Sequence, residues 1–271
     1  MIRSSKSLLG LSLIACFAAG QANACAISAW DAVGAAGSVG VVAADAVAVQ
    51  AGNSRYSGSC SLKITGASKF VQNTIATPRS TYKARFYVRK DATGSASEVF
   101  KATNAAGTSN LITVTYTGTS FTFNVLGAGA QPPALTVPNG TAWYSVELSW
   151  TNAGAFTARV VGAGGVASTP ATATATVATA ETIGKARLGN TNAAAAGSYF
   201  FDEFDSRTTQ APGRLVRGDA NGNGTVTATD IVQTINEAAG SIFAVGQPDC
   251  GENGTVTAND IVCVINIAAN G

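Results

Sequence analysis

Two stretches near the carboxyl end carry oxygen donors at a spacing that does chemistry. In the first, Asp219, Asn221 and Asn223 stand at alternate positions, Gly224 permits a sharp turn, Thr225 offers a backbone carbonyl and Asp230 closes with a carboxylate. The second repeats this with Asp249, Asn253, Gly254, Thr255 and Asp260, but Gly251 brings no side-chain oxygen to the place that Asn221 fills. An all-oxygen set on a short, asparagine-rich loop suits a hard cation that tolerates irregular geometry. Zinc is disfavoured, because the chain has no histidine and its cysteines are scattered.

The elements that must position these oxygens are legible around them. Each stretch runs into an apolar segment of helical period, and the two units, DANGNGTVTATDIVQTINEAAG from Asp219 and DCGENGTVTANDIVCVINIAANG from Asp249, are copies of one loop-helix design. The spacing is that of an EF-hand calcium loop. The expectation is two Ca²⁺ sites, the second weaker for want of an oxygen at Gly251. Two such loops, each followed by one helix and with none before the first, resemble a type I dockerin across 218–271. That resemblance implies docking onto a cohesin-like partner. Closing both loops with aspartate fits it; asparagine at the fifth position, where aspartate is usual, lowers the charge of both sites. Cys250 and Cys263 are placed to close a local disulfide that would hold the second loop together.

Aligning the helices separates shared from unshared apolar residues. Ile231, Val232 and Ile235 match Ile261, Val262 and Ile265, and are expected to pack the repeats together. Thr234 and Glu237 become Val264 and Ile267, which makes the second helix apolar more than halfway round and marks Val264 and Ile267 as a docking face. Either a cohesin-like partner or the remainder of the same chain covers it. From Gly218 onward there are six acids and no Lys or Arg, so this segment repels itself until metal binds or until the basic remainder of the chain meets it.

At the other end, Arg3 and Lys6 precede an apolar run from Leu8 to Ala19, and Ala22-Asn23-Ala24 reads as a cleavage signal. Residues 1–24 are therefore expected to be a secretory signal peptide, too short in its apolar core to span a bilayer, and the protein to be secreted or displayed at the cell surface. Processing would leave fifteen basic and fifteen acidic residues, a balance that favours neither nucleic acid nor membrane surfaces. Four cysteines would remain, and the local pairing Cys25–Cys60 with Cys250–Cys263 respects a two-domain layout.

Residues 25–207 read as short strands broken by Gly, Ser, Thr and Asn: Ser61–Thr65, Tyr82–Lys90, Ser97–Ala102, Leu111–Thr117, Ser120–Val125, Trp143–Trp150, Phe156–Val161, Ala186–Gly189 and Tyr199–Ser206. In the second of these, Tyr82, Ala84, Phe86 and Val88 face one way, with Lys83, Arg85 and Arg89 on the other. Such a series predicts a mainly β fold, an antiparallel β-sandwich. The runs GSCSLKI, YKARFY, WYSVELSW and YFFDEFDSR are similar in order to a concanavalin A-like jelly roll. The Ala/Thr-rich stretch Ser168–Thr182 is expected as a long surface loop or an edge strand, and 208–217, with Pro212 and Gly213, as a linker to the module.

Function classes follow. The likeness to a jelly roll admits lectins and polysaccharide-degrading enzymes alike. Of the nine acids before the linker, only Asp202-Glu203-Phe204-Asp205 cluster, so Glu203 and Asp205 are the catalytic candidates, with a strand-end salt bridge as the plainer reading. Without histidine there is no histidine base and no Ser-His or Cys-His pair. Trp30, Trp143, Tyr144 and Trp150 are the candidates for stacking a sugar, Trp143 and Trp150 more readily read as core. Arg217-Gly218-Asp219 spells an adhesion tripeptide, and Asn139, Asn223 and Asn253 open glycosylation sequons, the last two already committed to the loops. The expectation is a secreted, non-catalytic, lectin-like attachment protein. Its alternatives are an enzyme component of polysaccharide catabolism and a self-assembling matrix subunit.

Overall fold

A computed structural model describes residues 55–270 apart from 59, 92–94, 139–141 and 193–197, and adds the backbone of two short strands before them. Residues 1–24, Cys25, Trp30 and Asn139 lie outside the described residues, as does the side chain of Cys60. Among the described residues fourteen strands and two α-helices are formed. The strands are β1 (Ala32–Val33), β2 (Val41–Ala44), β3 (Cys60–Thr65), β4 (Lys69–Arg79), β5 (Thr81–Lys90), β6 (Ser97–Thr103), β7 (Asn110–Tyr116), β8 (Ser120–Val125), β9 (Leu135–Thr136), β10 (Tyr144–Thr151), β11 (Ala153–Gly162), β12 (Ala167–Ala178), β13 (Ile183–Asn190) and β14 (Ser198–Arg207). The helices are α1 (Ala228–Ala238) and α2 (Ala258–Asn270).

All pairings are antiparallel. One layer runs β1-β4-β13-β6-β7-β8, the other β12-β11-β10-β5-β14-β3-β2, and β9 pairs with β8 of the first and β12 of the second. Rings bridge the layers: Phe86 of β5 lies 5.4 Å from Phe100 of β6, and Tyr116 of β7 meets Tyr144 of β10 at 5.8 Å. The mainly β sandwich is thus closed by aromatic and aliphatic side chains from both sheets.

Alternation explains the inward set. Tyr82, Ala84, Phe86 and Val88 of β5 are buried in that core. The opposite row is not left to solvent, however: Arg85, Tyr87 and Arg89 are buried too. Residues Tyr56, Trp143 and Phe200 form a second apolar cluster with Tyr87 on this outer face, packed against Leu215 of the connecting segment. Two strands escape the sequence pattern. β4 buries only Val71 and Gln72 along its length, and β9 is two residues long. The Ala/Thr stretch is strand β12, paired along β11 and touching β9 only at Thr169 with Thr136. It therefore behaves as an edge.

Candidate functional site

Each acidic loop is wrapped around its own carboxylates. In the first, the Asp219 carboxylate accepts from the amides of Asn223 at 3.1 Å and Gly224 at 2.7 Å, and Asp230 accepts from the Asn221 amide at 3.0 Å. The second loop repeats these bonds: Asp249 accepts from Asn253 at 3.2 Å and Gly254 at 2.6 Å, and Asp260 from Gly251 at 2.8 Å. Asp230 and Asp260 also cap their helices, each taking the amide and hydroxyl of the threonine three residues earlier, Thr227 and Thr257. One carboxylate therefore closes the loop and starts the helix, and both are buried.

The donor set is one a hard divalent cation takes. A Cβ added at Gly251 would stand 3.2 Å from Asp260 Oδ1 and 3.8 Å from Asp249 Oδ1, so the position lacking an oxygen faces the two carboxylates. Among the described residues no group of three or more His, Cys, Asp or Glu side chains gathers. Each loop has two carboxylates, and a cation there would draw its further oxygens from Asn221 and Asn223 or Asn253 and from the Thr225 or Thr255 carbonyl. Burial, together with the nearby Asp260 charge, pushes the Asp249 carboxyl up to about 7. Cys250 and Cys263 are joined in a disulfide, with Cα atoms 6.0 Å apart.

The helix faces are the reverse of those expected from the shared stripe. Val264 is fully buried, and Ile267 lies with it against the backbone of Gly218, where an added Cβ would meet the two at 3.1 and 3.6 Å. The matching residues Val232, Ile235, Val262 and Ile265 are instead exposed, at 56, 44, 57 and 43%. The reason is helical period. Asp230 and Asp260 must point inward to close their loops, so the positions four and seven residues on, Thr234/Val264 and Glu237/Ile267, follow them inward. Positions two and five residues on turn outward. Val264 and Ile267 are thus packing residues and not a docking face. Anchoring the helical wheel on the closing aspartate would have found this from the sequence.

The module is seated on the outer face of the sandwich, and carboxylates make the joint. Glu237, at the end of α1, pairs with Arg55 and accepts from the Ala244 amide at 2.6 Å. Glu252, inside the second loop, pairs with Arg214 and accepts from the Tyr56 hydroxyl at 2.6 Å. Both glutamate side chains are fully buried. Tyr56 stacks on Tyr87 at 3.7 Å, and burial with the Tyr87 and Glu252 neighbours raises its hydroxyl well above the usual range. Ser57 Oγ donates to the Gly246 carbonyl at 2.8 Å, Leu215 donates its amide to the Tyr87 hydroxyl at 2.9 Å, and Arg85 donates to the Gly213 carbonyl at 3.1 Å. This is the contact between acidic module and basic remainder that the charge asymmetry pointed to.

The catalytic candidates are engaged otherwise. A bulge in β14 sets Asp202 opposite Tyr87 and Asp205 opposite Arg85, with Glu203 at φ +50°. Glu203 pairs with Arg85 at 3.5 Å and Asp205 with Arg207 at 2.8 Å, which is the strand-end salt bridge. Burial raises the Glu203 carboxyl against the lowering effect of Arg85. Asp202, which sequence reasoning passed over, is the more structural group. Its carboxylate accepts from the amides of Tyr56, Ser57 and Glu203, and burial and the Glu203 charge raise it well above the carboxylate range.

Of the sugar-stacking candidates, Trp143, Tyr144 and Trp150 are all buried, Trp150 in the main core and Trp143 beneath Tyr56 at 6.1 Å. They offer no open platform. The open side of the second sheet carries hydroxyls instead: Thr172, Thr174 and Thr176 on β12, with Thr157 opposite Thr174 and Arg159 opposite Thr172 on β11. Of the adhesion tripeptide, Arg217 donates to the Cys250 carbonyl at 2.8 Å and Asp219 is buried in its loop.

No protein-family model matches the chain, and no curated protein does. Solved structures match part of the chain. The cellulose induced protein Cip1 is 16% identical with a TM-score of 0.44, over 65% of this chain and 89% of that one. A Trypanosoma rangeli sialidase is 14% identical with a TM-score of 0.41, over 55% of this chain and 26% of its own. The botulinum neurotoxin serotype G binding domain is 9% identical with a TM-score of 0.39, over 56% of this chain and 40% of its own. The chain thus spans about a quarter of the sialidase and two fifths of the toxin domain. At this level of likeness none bears on what the chain binds or catalyses. No helix among the described residues is long and apolar enough to cross a membrane.

Proposed function

We propose that this chain is an exported, non-catalytic attachment protein in which a β-sandwich is joined to a dockerin-like module ordered by Ca²⁺. The observation that carries the reading is the arrangement of the two loop-helix units. Their oxygens turn inward at matching places, and their matching apolar residues Val232, Ile235, Val262 and Ile265 turn outward. A self-contained module would have little reason to expose the same two aliphatic positions in both copies. The partner we assign to this row is a cohesin-like domain, since the module's other side is taken by the sandwich.

The ligand of the sandwich is proposed as carbohydrate, held by the hydroxyl rows of β11 and β12 through hydrogen bonds. Export is proposed from the leader-like segment before residue 25. Calorimetry of the full chain with CaCl₂ tests the module: the expectation is two sites, in the ~0.1–1 mM range of extracellular modules or tighter. Val232→Asp with Val262→Asp should abolish binding to an immobilised cohesin domain while calcium heats persist. No heat with millimolar calcium would sink the reading. Glycan-array binding lost in Thr174→Val with Thr172→Val, without sugar release, tests the sandwich.

A further inference from the structure

The second loop departs from the first at three consecutive positions, and two of these departures, Cys250 and Glu252, are met from outside the loop. At the second position Ala220 becomes Cys250, whose carbonyl accepts from Arg217 Nε at 2.8 Å and Nη2 at 2.5 Å and whose sulfur is tied to Cys263. At the third, Asn221 becomes Gly251 and an oxygen is lost. At the fourth, Gly222 becomes Glu252. Gly222 adopts φ +71° without cost, whereas Glu252 adopts φ +52°, a left-handed conformation that a residue with a side chain enters at about 1–2 kcal/mol. The carboxylate that justifies this conformation does not face the loop's oxygens. It reaches across to Tyr56 and Arg214.

We propose that the second calcium loop is a composite site, with Tyr56 and Arg214 acting as positioning residues that hold Glu252, and thereby the loop, in its metal-ready form. This rests on the calcium reading of the loops. The loop that has lost an oxygen is shaped in advance by the sandwich and the connecting segment, which cuts the ordering cost of metal capture. By linkage, metal in the second loop tightens seating of the module by the same factor that seating tightens the metal. The first loop has glycine at this place and no such tie, so it serves as an internal control.

The test uses the full chain and Tyr56→Phe, which keeps the ring stacked on Tyr87 and removes only the hydroxyl. Calcium is titrated while the backbone amide resonances of Gly224 and Gly254, each bonded to its own loop's first aspartate, report the loops separately. The expected result is that the Gly254 midpoint moves to about tenfold higher calcium, the size of one hydrogen bond to a charged group, with Gly224 unmoved. Arg214→Gln should do the same and Arg214→Lys should restore part of it, a pattern that general destabilisation would not produce. Calcium should also protect the 208–217 segment from protease in the parent chain more than in Tyr56→Phe. Equal shifts of both glycines, or none in either variant, would overturn the proposal. If neither glycine responds to calcium in the parent chain, the calcium reading falls, and this inference with it.

Discussion

The two loops, 219–230 and 249–260, are nearly one sentence, yet they sit in different surroundings. Gly222 of the first is exposed to solvent. The second presses Glu252 into a buried joint with Tyr56 and Arg214, and carries a disulfide. The difference teaches that a loop can keep its fold while one copy of it is turned to holding two parts of a molecule together. What changes is the second to fourth positions of the loop, and the glutamate at the fourth turns away from the loop's own oxygens.

Removing Glu252 should separate the copies most sharply. Glu252→Ala leaves Arg214 facing a buried void and is expected to cost about 3–5 kcal/mol. The matching change Gly222→Ala meets only left-handed strain of about 1–2 kcal/mol. Urea unfolding of the full chain measures both, and equal losses would erase the distinction. Next in size, Cys250→Ser with Cys263→Ser opens a short loop and should cost about 3 kcal/mol by chain entropy. Amide exchange should rise around Gly254 and not around Gly224. Gly251→Asn restores the missing oxygen and is expected to tighten the second site about tenfold, making the two loops alike in calorimetry; ligand count is what sets affinity in such loops.

The last effect is a titration. The Asp249 carboxyl is pushed up to about 7 in the folded chain, above its unfolded value near 3.8. Its contribution to stability is therefore complete below pH ~4 and is lost as pH rises through about 7. In EGTA, the urea midpoint of the parent chain should fall across that window relative to Asp249→Asn. A difference independent of pH would show the group to be unperturbed.

Much of this was legible in one dimension. Alternation in Tyr82–Lys90 and its neighbours specified strands and the core face, because a half-buried strand must alternate. The oxygen spacing, the Cys250–Cys263 bond and the acidic bias of the module were readable for equally local reasons. β4 was not, since a strand that buries so little leaves no periodic trace. Nor was the bulge at Glu203, which breaks the alternation that assigned its face.

The orientation of the helices and the joint were decided only in three dimensions. Residue identity named Val232 and Val264 equally apolar; the closing aspartates, by pointing inward, put one outside and the other in the core. Arg85 and Tyr87 carry the pattern of a solvent face, and are buried where the connecting segment lies across them at Gly213 and Leu215. Strand and helix periods are local and survive in the order of residues. Which face meets which depends on contacts such as Tyr56 with Glu252, nearly two hundred residues apart, and no local period records them.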